Sequence, residues 1–134
     1  MVKTIQQQLG DRLCFAFRNF PLVNSHPHAQ HAAEAAEAAG AQGRFWEMHD
    51  LLYENQDALE DENLAEYASS LGLNAEQLMS EVQAGTYAAR VRQDFRSGAR
   101  LGVNGTPSFF INGVRYDGNY DVEDLLAALT GEPA

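Results

Sequence analysis

The chain is poor in sulfur and in basic side chains. Cys14 is its single cysteine, so no disulfide can form within the chain and a disulfide-stapled fold is excluded. Nine Lys and Arg residues stand against nineteen Asp and Glu, which gives a formal net charge of -10. Because phosphate backbones and anionic bilayers attract basic surfaces, we expect neither nucleic acid nor a membrane as a partner.

Long apolar runs are also missing. No stretch approaches the roughly 18 apolar residues of a membrane-spanning helix, and residues 1–8 lack the apolar region of a signal peptide. The sequence as it stands predicts a cytoplasmic protein, and an extracytoplasmic one is expected instead if the N-terminus is truncated. What is present, 134 residues of which 45% are hydrophobic, suits one globular domain with its own core.

The first part of the chain has mainly helical patterns. Residues 2–9 are predicted to form a short helix ended by Gly10, with Ile5 and Leu9 on one face at i, i+4 spacing. The apolar run 12–18 is predicted to be a buried strand. Five helices are then expected within residues 25–101, the first ended by Gly40. Their start signals are Ser25-His26-Pro27, Gly43, Asp61, Asn74 and Thr86.

The pattern changes after residue 101. Residues 107–111 and 114–117 are predicted strands, joined by the Asn112-Gly113 pair that is typical of two-residue hairpin turns. Asp121 is expected to cap a last amphipathic helix that ends at Gly131. Its inward apolar residues are Val122, Leu125, Leu126 and Leu129. The element order predicts an α/β fold with an inserted block of helices.

Four segments of the sequence resemble the DsbA-like thioredoxin family. They are Phe-Arg-Asn-Phe-Pro-Leu at 17–22, His-Pro-His-Ala at 26–29, Phe-Trp-Glu-Met-His-Asp at 45–50, and the Gly-Thr-Pro loop with its hairpin at 102–113. The resemblance implies a single thioredoxin-like α/β domain over residues 1–134. It also implies a helical insertion at about 25–101, between thioredoxin-like parts at about 1–24 and 102–134.

The resemblance also implies features that this sequence lacks. In the family a Cys-x-x-Cys motif begins the first helix, just after the central strand, and this chain begins inside that helix. Because disulfide exchange needs an attacking and a resolving sulfur, we expect the chain as given to be redox-inactive, and whether it is an enzyme stays open. The absent central strand would leave strands 12–18 and 107–111 without a partner, which predicts a homodimer or another segment in the gap.

Thr106 and Pro107 are the candidate substrate-binding residues. In the family this proline is cis and faces the redox cysteines, which implies that an extended peptide or a thiol protein binds beside it by strand addition. The alternative is a rigid turn that leads into a strand. No catalytic residue, cofactor or metal ligand is predicted.

For the remaining polar residues a structural role is favoured. Cys14 is expected to be a small buried hydrophobe. His26, His28 and His31 could hold a metal, but exposed imidazoles near a helix N-terminus are the favoured interpretation. His49 is expected to be a packed or capping histidine.

Three arginines have helical spacing. Arg92, Arg96 and Arg100 recur at i, i+4 and i+8, so they form one ridge that could bind an anion. A solvated face is favoured, with Glu81 and Asp94 as ion-pair partners.

Several function classes stay open at this point. The first is a domain of thiol:disulfide oxidoreductase lineage without its dithiol, and the second is a non-catalytic module for peptide binding or dimer assembly. Metal binding by the histidines is a weaker third. Chemistry on glutathione-like small molecules is weaker still, because Thr4 is the only hydroxyl near the start of the first helix.

Overall fold

Helices dominate residues 1–131, the part of the chain that the structure, a computed structural model, describes. The elements, in chain order, are α1 (Val2–Leu9), a 3-10 turn (Gly10–Arg12), α2 (Ala29–Ala41), α3 (Phe45–Glu54), α4 (Asp61–Ser70), α5 (Ala75–Ala84), α6 (Ala88–Arg100), β1 (Phe110–Ile111), β2 (Val114–Arg115) and α7 (Val122–Thr130). The fold is therefore mostly helical, with one small sheet.

The chain forms two compact units. One joins Met1–Phe17 to Gly105–Ala134, and we call it the terminal unit. The other is Arg18–Asn104, and we call it the helical unit. The helical insertion predicted at about 25–101 lies within the helical unit, and its limits as a domain boundary stay a prediction.

The core of the helical unit is built around the alanine-rich helix α2. Ala35, Ala38 and Ala39 have no exposed surface, and their small side chains leave room for large ones from the helices that pack on α2. Those partners are α3, α4, α5 and α6. The fully buried large side chains of this cluster are Met48, Leu64, Leu78 and Val82. The amphipathic pattern thus closes one continuous helical core.

Local signals placed two of the helix ends correctly. The side chain of Asn74 accepts a hydrogen bond from the backbone N–H of Gln77, 3.0 Å away, and so caps α5 as predicted. Gly85 ends α5 in the left-handed region, with φ 68°, where a residue without Cβ costs least.

Other helix limits differ from the prediction. Helix α2 starts at Ala29 rather than at Ser25, because Pro27 disfavours a helical conformation at the residue before it. It also continues through Gly40, where a Cβ would lie 3.3 Å from the Cβ of Phe45. This glycine therefore lets α3 approach, rather than ending α2.

Two further caps differ from the prediction. Helix α4 is capped by Glu60, in a reciprocal box with Asn63, and not by Asp61. Helix α6 begins at Ala88, after a turn, so Thr86 does not cap it. A capping side chain must reach the free N–H groups at the start of its own helix. When the helix starts one or two residues later or earlier, a different residue is in position to cap it.

The terminal unit packs α1 against α7. Ile5, Leu9 and Leu125 are its buried residues, and both helices have the limits and inward faces that the sequence predicted. Asp121 caps α7 by accepting from the N–H of Asp124 at 2.8 Å. The partly buried residues around this cluster are Leu13, Ile111, Tyr116, Val122, Leu126 and Leu129.

The predicted hairpin forms, but its strands are short. Phe110 pairs with Arg115 and Ile111 with Val114 in an antiparallel register. Asn112 and Gly113 both have positive φ, 50° and 83°, as a type I′ turn requires. Each strand has two residues rather than four or five.

The predicted strand 12–18 is wrong for this structure. Arg12 belongs to the 3-10 turn, and residues 13–18 belong to no strand of the described chain. Burial still alternates as in a strand, because Leu13, Phe15 and Phe17 are half-buried while Cys14 and Ala16 are exposed. Alternation selects the face of each side chain, but a strand forms only against a partner, and the described sheet contains β1 and β2 alone.

Candidate functional site

The loop before β1 carries the predicted site residues. Thr106 and Pro107 are both exposed, and the peptide bond between them is cis. The hydroxyl of Ser108 donates to the carbonyl of Gly105 at 2.7 Å, which ties the two ends of this turn together. The segment that leads into β1 is thus held in one shape while its outer side faces solvent.

Strand β1 uses one of its two edges. It pairs with β2 on one side, and just before it the carbonyl of Phe109 accepts from the N–H of Tyr116 at 2.8 Å. Within residues 1–131 no strand lies along its other edge, which we call the outer edge. An edge of this kind can pair with an extended chain through main-chain hydrogen bonds.

Three aromatic rings flank the hairpin, and sequence reasoning did not single them out. The rings of Phe109 and Tyr120 meet edge to face with centroids 5.1 Å apart, and those of Tyr116 and Tyr120 stack at 6.0 Å. The Tyr116 hydroxyl donates to the carbonyl of Asn119 at 2.6 Å. Burial and the nearby carboxylates of Asp124 and Asp121 raise the pKa of Tyr116, so its hydroxyl stays neutral. The available signal was the number of aromatics around the turn, since residues 109–120 contain four of them: Phe109, Phe110, Tyr116 and Tyr120.

Cys14 is exposed, so its predicted place in the core is wrong. The half-buried side of its segment is taken by Leu13 and Phe15, and successive residues of an extended chain point to opposite sides. The apolar neighbours that suggested burial are therefore the reason that Cys14 faces outward.

The histidines do not form a metal site in the described chain. The His31 ring lies 2.8 Å from the Asp61 carboxylate, measured from Nδ1 to Oδ1, and Gln83 donates to the other Asp61 oxygen at 2.9 Å. The hydrogen bond from His31 is the main cause that lowers the pKa of Asp61. Within residues 1–131 no three His, Cys, Asp or Glu side chains are placed to hold a metal ion.

His49 lies in an aromatic group on α3. Its ring centroid is 4.8 Å from that of Tyr53 and 5.3 Å from that of Trp46, and its Nδ1 is 3.1 Å from Oδ1 of Asp50. The ring contacts agree with a packed histidine.

A buried polar network inside the helical unit was missed. Asn19, 4% exposed, donates its backbone N–H and its side-chain amide to Oδ2 of Asp94 at 3.0 and 3.1 Å. The same amide donates to Glu37 at 2.8 Å. Arg90 donates to the other Asp94 oxygen at 2.6 Å. The i, i+4 spacing of Arg90 and Asp94 was the available signal.

The two acids that were expected to pair with the arginine ridge have other partners. Asp94 is bound by Arg90 and Asn19 rather than by Arg92 or Arg96. Glu81 interacts with the hydroxyl of Tyr87 and raises the pKa of that phenol. The predicted ion pairs are therefore wrong. Asp94 lies off the ridge because side chains two residues apart on a helix do not share a face, and Glu81 lies on α5.

In the part of the chain that the structure covers, none of the helices is both long enough and apolar enough to cross a bilayer. The cytoplasmic location expected from the sequence stays a prediction.

A protein-family model and several curated proteins match this chain. A family model for the DSBA-like thioredoxin domain matches residues 3–130. The Na(+)/H(+) antiporter NhaA 3 of Salinispora tropica is 45% identical over 115 residues, which cover 86% of this chain and 18% of the antiporter. No solved structure matches the chain.

Two further relatives are also named Na(+)/H(+) antiporters. The Na(+)/H(+) antiporter NhaA 1 of Mycobacterium sp. (strain KMS) is 38% identical over 130 residues, or 96% of this chain and 21% of the relative. The Na(+)/H(+) antiporter NhaA of Herminiimonas arsenicoxydans is 38% identical over 125 residues, or 93% and 20%. The chain thus spans about a fifth of the length of the curated relatives that it matches.

Proposed function

Because the chain belongs to the DSBA-like thioredoxin domain family, we propose that it is a domain of thiol:disulfide oxidoreductase lineage that binds extended polypeptide at Thr106 and Pro107. The observation that carries the proposal is the exposed Thr106–Pro107 turn beside the outer edge of β1. The chain by itself does not perform dithiol exchange, since its one cysteine cannot be both the attacking and the resolving sulfur.

Several features of the terminal unit support the peptide-binding role. Pro107 has no N–H to offer, but the residues around it bear backbone donors and acceptors that an added strand can use. The ring of Tyr120, 45% exposed, offers an apolar surface near the same hairpin for a peptide side chain. Main-chain pairing would provide affinity that depends little on sequence, and the aromatic ring would provide selectivity.

We propose that residues 13–17, which alternate in burial, and the outer edge of β1 are the two sides of a gap that the family's central strand occupies. The helical unit is then the insertion characteristic of the family. Either a second copy of this chain or a segment of a longer polypeptide fills the gap, because open strand edges in a sheet are otherwise prone to pair with other chains.

The antiporter relatives fit this proposal in a limited way. Their names describe sodium–proton exchange, but about four-fifths of each relative lies outside the match. We propose that this chain shares with them a DsbA-like segment, and that the antiport activity belongs to the rest of those proteins.

Peptide binding is tested by NMR titration. An eight-residue peptide of alternating Val and Thr, without cysteine, is added to the 15N-labelled full chain. We expect saturable shifts at residues 105–111, and Thr106→Arg should weaken binding about tenfold by placing a long charged side chain on the edge. Thr86→Arg is the matched control, since Thr86 is also exposed but lies in the turn before α6. Equal effects of the two variants, or shifts outside the hairpin only, would refute the proposed edge.

Redox inactivity is tested by insulin reduction with dithiothreitol as the electron donor. The chain should give the rate of the Cys14→Ala variant, which has no thiol. Turnover above that of the variant would contradict the proposed absence of dithiol chemistry.

The second candidate function is dimer assembly through the same outer edge of β1. It is favoured by the exposure of Val114 on β2, 70%, which marks a hairpin with little cover on that face. Sedimentation over a hundredfold range of protein concentration distinguishes a dimer from a monomer. A well-folded monomer at every concentration would rule out the dimer and leave peptide binding in place.

A further inference from the structure

Helix α6 concentrates positive charge in an otherwise acidic protein. Four of the chain's nine Lys and Arg residues lie in this thirteen-residue helix, together with a single acid. The helix therefore carries a formal charge of +3, and the remainder of the chain -13. The acid, Asp94, is already bound by Arg90, so the charge of the other three arginines is not neutralised from within the helix.

In the described part of the chain the three ridge arginines have no acidic partner. Arg92, Arg96 and Arg100 are exposed, and none of them forms an ion pair within residues 1–131. Like charges at i, i+4 oppose helix formation, and eighteen other acidic side chains in the sequence could have offset them. A ridge that costs stability and has no internal partner suggests an external anion.

The ridge also has the shape of a binding site. An open cavity of about 440 Å³ is lined by two parallel rows of α6 side chains, one of three arginines and the other of Ala89, Gln93 and Ser97. Residues four apart on a helix have Cβ atoms about 5–6 Å apart, so two neighbouring guanidinium groups can grasp the oxygens of one anion. The small side chains of the second row leave space for it.

Further hydrogen-bond donors lie beside the ridge arginines. Arg18 donates to the hydroxyl oxygen of Ser97 at 3.3 Å, so the Ser97 proton is free to turn toward the cavity. Arg18 thereby brings a fourth guanidinium next to Ser97, and the amide of Gln93, which lines the cavity, adds another N–H donor. Forked guanidinium groups with hydroxyl and amide donors match a tetrahedral oxyanion, whose several oxygens accept in different directions.

We propose that this surface of α6, the phosphate cleft, binds a compact phosphate-bearing anion. Its residues are Arg92, Gln93, Arg96, Ser97 and Arg100, with Arg18 bonded to Ser97 beside them. A compact anion fits better than a long polyanion, because the acidic remainder of the chain repels extended negative charge. The site does not depend on the peptide-binding role of the hairpin, and each can fail without the other.

The test titrates inorganic pyrophosphate into the 15N-labelled full chain, with sodium chloride added to hold ionic strength constant. We expect saturable shifts of the ridge guanidinium Nε–H signals and of the backbone at residues 92–100, and no saturation with acetate. Arg96→Gln removes the central fork and should weaken binding by about tenfold or more, as the loss of charge-assisted hydrogen bonds implies. Because Arg96 is exposed, this variant should keep the fold, which an unchanged melting temperature would verify.

Arg44→Gln is the matched control. Arg44 is exposed and pairs with Glu47 on α3 at 2.9 Å, so the substitution changes the net charge equally but lies off the cleft. It should alter affinity less than twofold. An equal loss in both variants would mean that only net charge attracts the anion, and it would overturn the proposal.

A second arm identifies the source of the phosphate. Cosedimentation is measured with phosphatidylcholine vesicles that contain or lack phosphatidylglycerol. Binding that requires phosphatidylglycerol and is lost in Arg96→Gln assigns the cleft to a lipid headgroup, whereas pyrophosphate binding without vesicle binding assigns it to a soluble phosphate compound. If neither pyrophosphate nor vesicles bind in an Arg96-dependent way, the proposal is wrong.

Discussion

The helical unit and the terminal unit bury their apolar residues to different extents. In the helical unit the buried cluster has eleven members, and Met48, Leu64 and Leu78 have no exposed surface. In the terminal unit the buried cluster has three members, and most of the apolar side chains around it are half-exposed. The turn at Thr106 and Pro107, which we propose to bind peptide, belongs to the less completely packed unit.

The difference teaches that helices and strands depend on their surroundings in different ways. A helix satisfies its backbone within itself and needs only one apolar face covered, so the helical unit closes with its own residues. A strand needs at least one neighbour for its backbone hydrogen bonds, and the terminal unit contains two paired strands in the described chain, each with one edge unpaired by any strand of residues 1–131. The region proposed to bind a partner is thus the region that lacks pairing.

The largest expected effect compares one buried leucine from each unit. Leu64→Ala should lower the free energy of unfolding by about 3–5 kcal/mol, because closely packed neighbours cannot collapse into the cavity. Leu125→Ala should cost about 2 kcal/mol, since half-exposed neighbours can move in or admit water. Urea denaturation of both variants measures the difference. Equal losses would break the comparison, because they would mean that both cores are equally rigid.

A smaller effect is expected from buried polar groups. Asn19→Ala removes the amide that donates to Asp94 and Glu37, so these carboxylates lose a buried donor, at a cost of about 2 kcal/mol. Asn119→Ala in the terminal unit is the control: its bond to Asp124 is exposed, and the change should stay within about 0.5 kcal/mol. If Asn119→Ala destabilised the protein as much as Asn19→Ala, burial would not explain the free-energy cost of losing these hydrogen bonds.

The next prediction concerns pH. The hydrogen bond from His31 lowers the pKa of Asp61 below its ordinary 3.8. A carboxyl with a lowered pKa stabilises the fold above its unfolded pKa, and this contribution is lost as pH falls from 3.8 through the folded value.

NMR titration of the Asp61 carboxyl carbon measures this shift. His31→Ala should raise the Asp61 pKa toward 3.8 and weaken the loss of stability in acid. His26→Ala should leave the Asp61 value unchanged, because His26 is not among the groups that act on it. A midpoint at or above 3.8 in the unsubstituted protein would contradict the role of His31.

The smallest effect on stability is expected at Cys14. Because its side chain is exposed, Cys14→Ser should change the free energy of unfolding by less than about 0.5 kcal/mol. The native thiol should also react fully with Ellman's reagent, without denaturant. A thiol that reacts only after unfolding would support the predicted burial of Cys14. It would also mean that the segment 13–17 is covered in solution.

Sequence patterns located the secondary structure better than the site. The i, i+4 spacing of Ile5 and Leu9 placed α1, and Asn112-Gly113 placed the hairpin turn, because each signal acts between residues that are close in the chain. The predicted strand 12–18 does not form in the described chain, because its prediction rested on an apolar run, which does not show whether a partner strand is present. Tyr120 and Asn19 escaped notice because their roles come from neighbours in space.

Local chemistry therefore determined the helices, the caps at Asn74 and Asp121, and the type I′ turn, since their stabilising bonds span four residues or fewer. Tertiary structure decided the rest. Asp94 bonds to Asn19, 75 residues away, and that choice left the ridge at Arg92, Arg96 and Arg100 without the acid expected to neutralise it. Bonds between distant residues depend on which surfaces the fold brings together, and a sequence pattern does not contain that information.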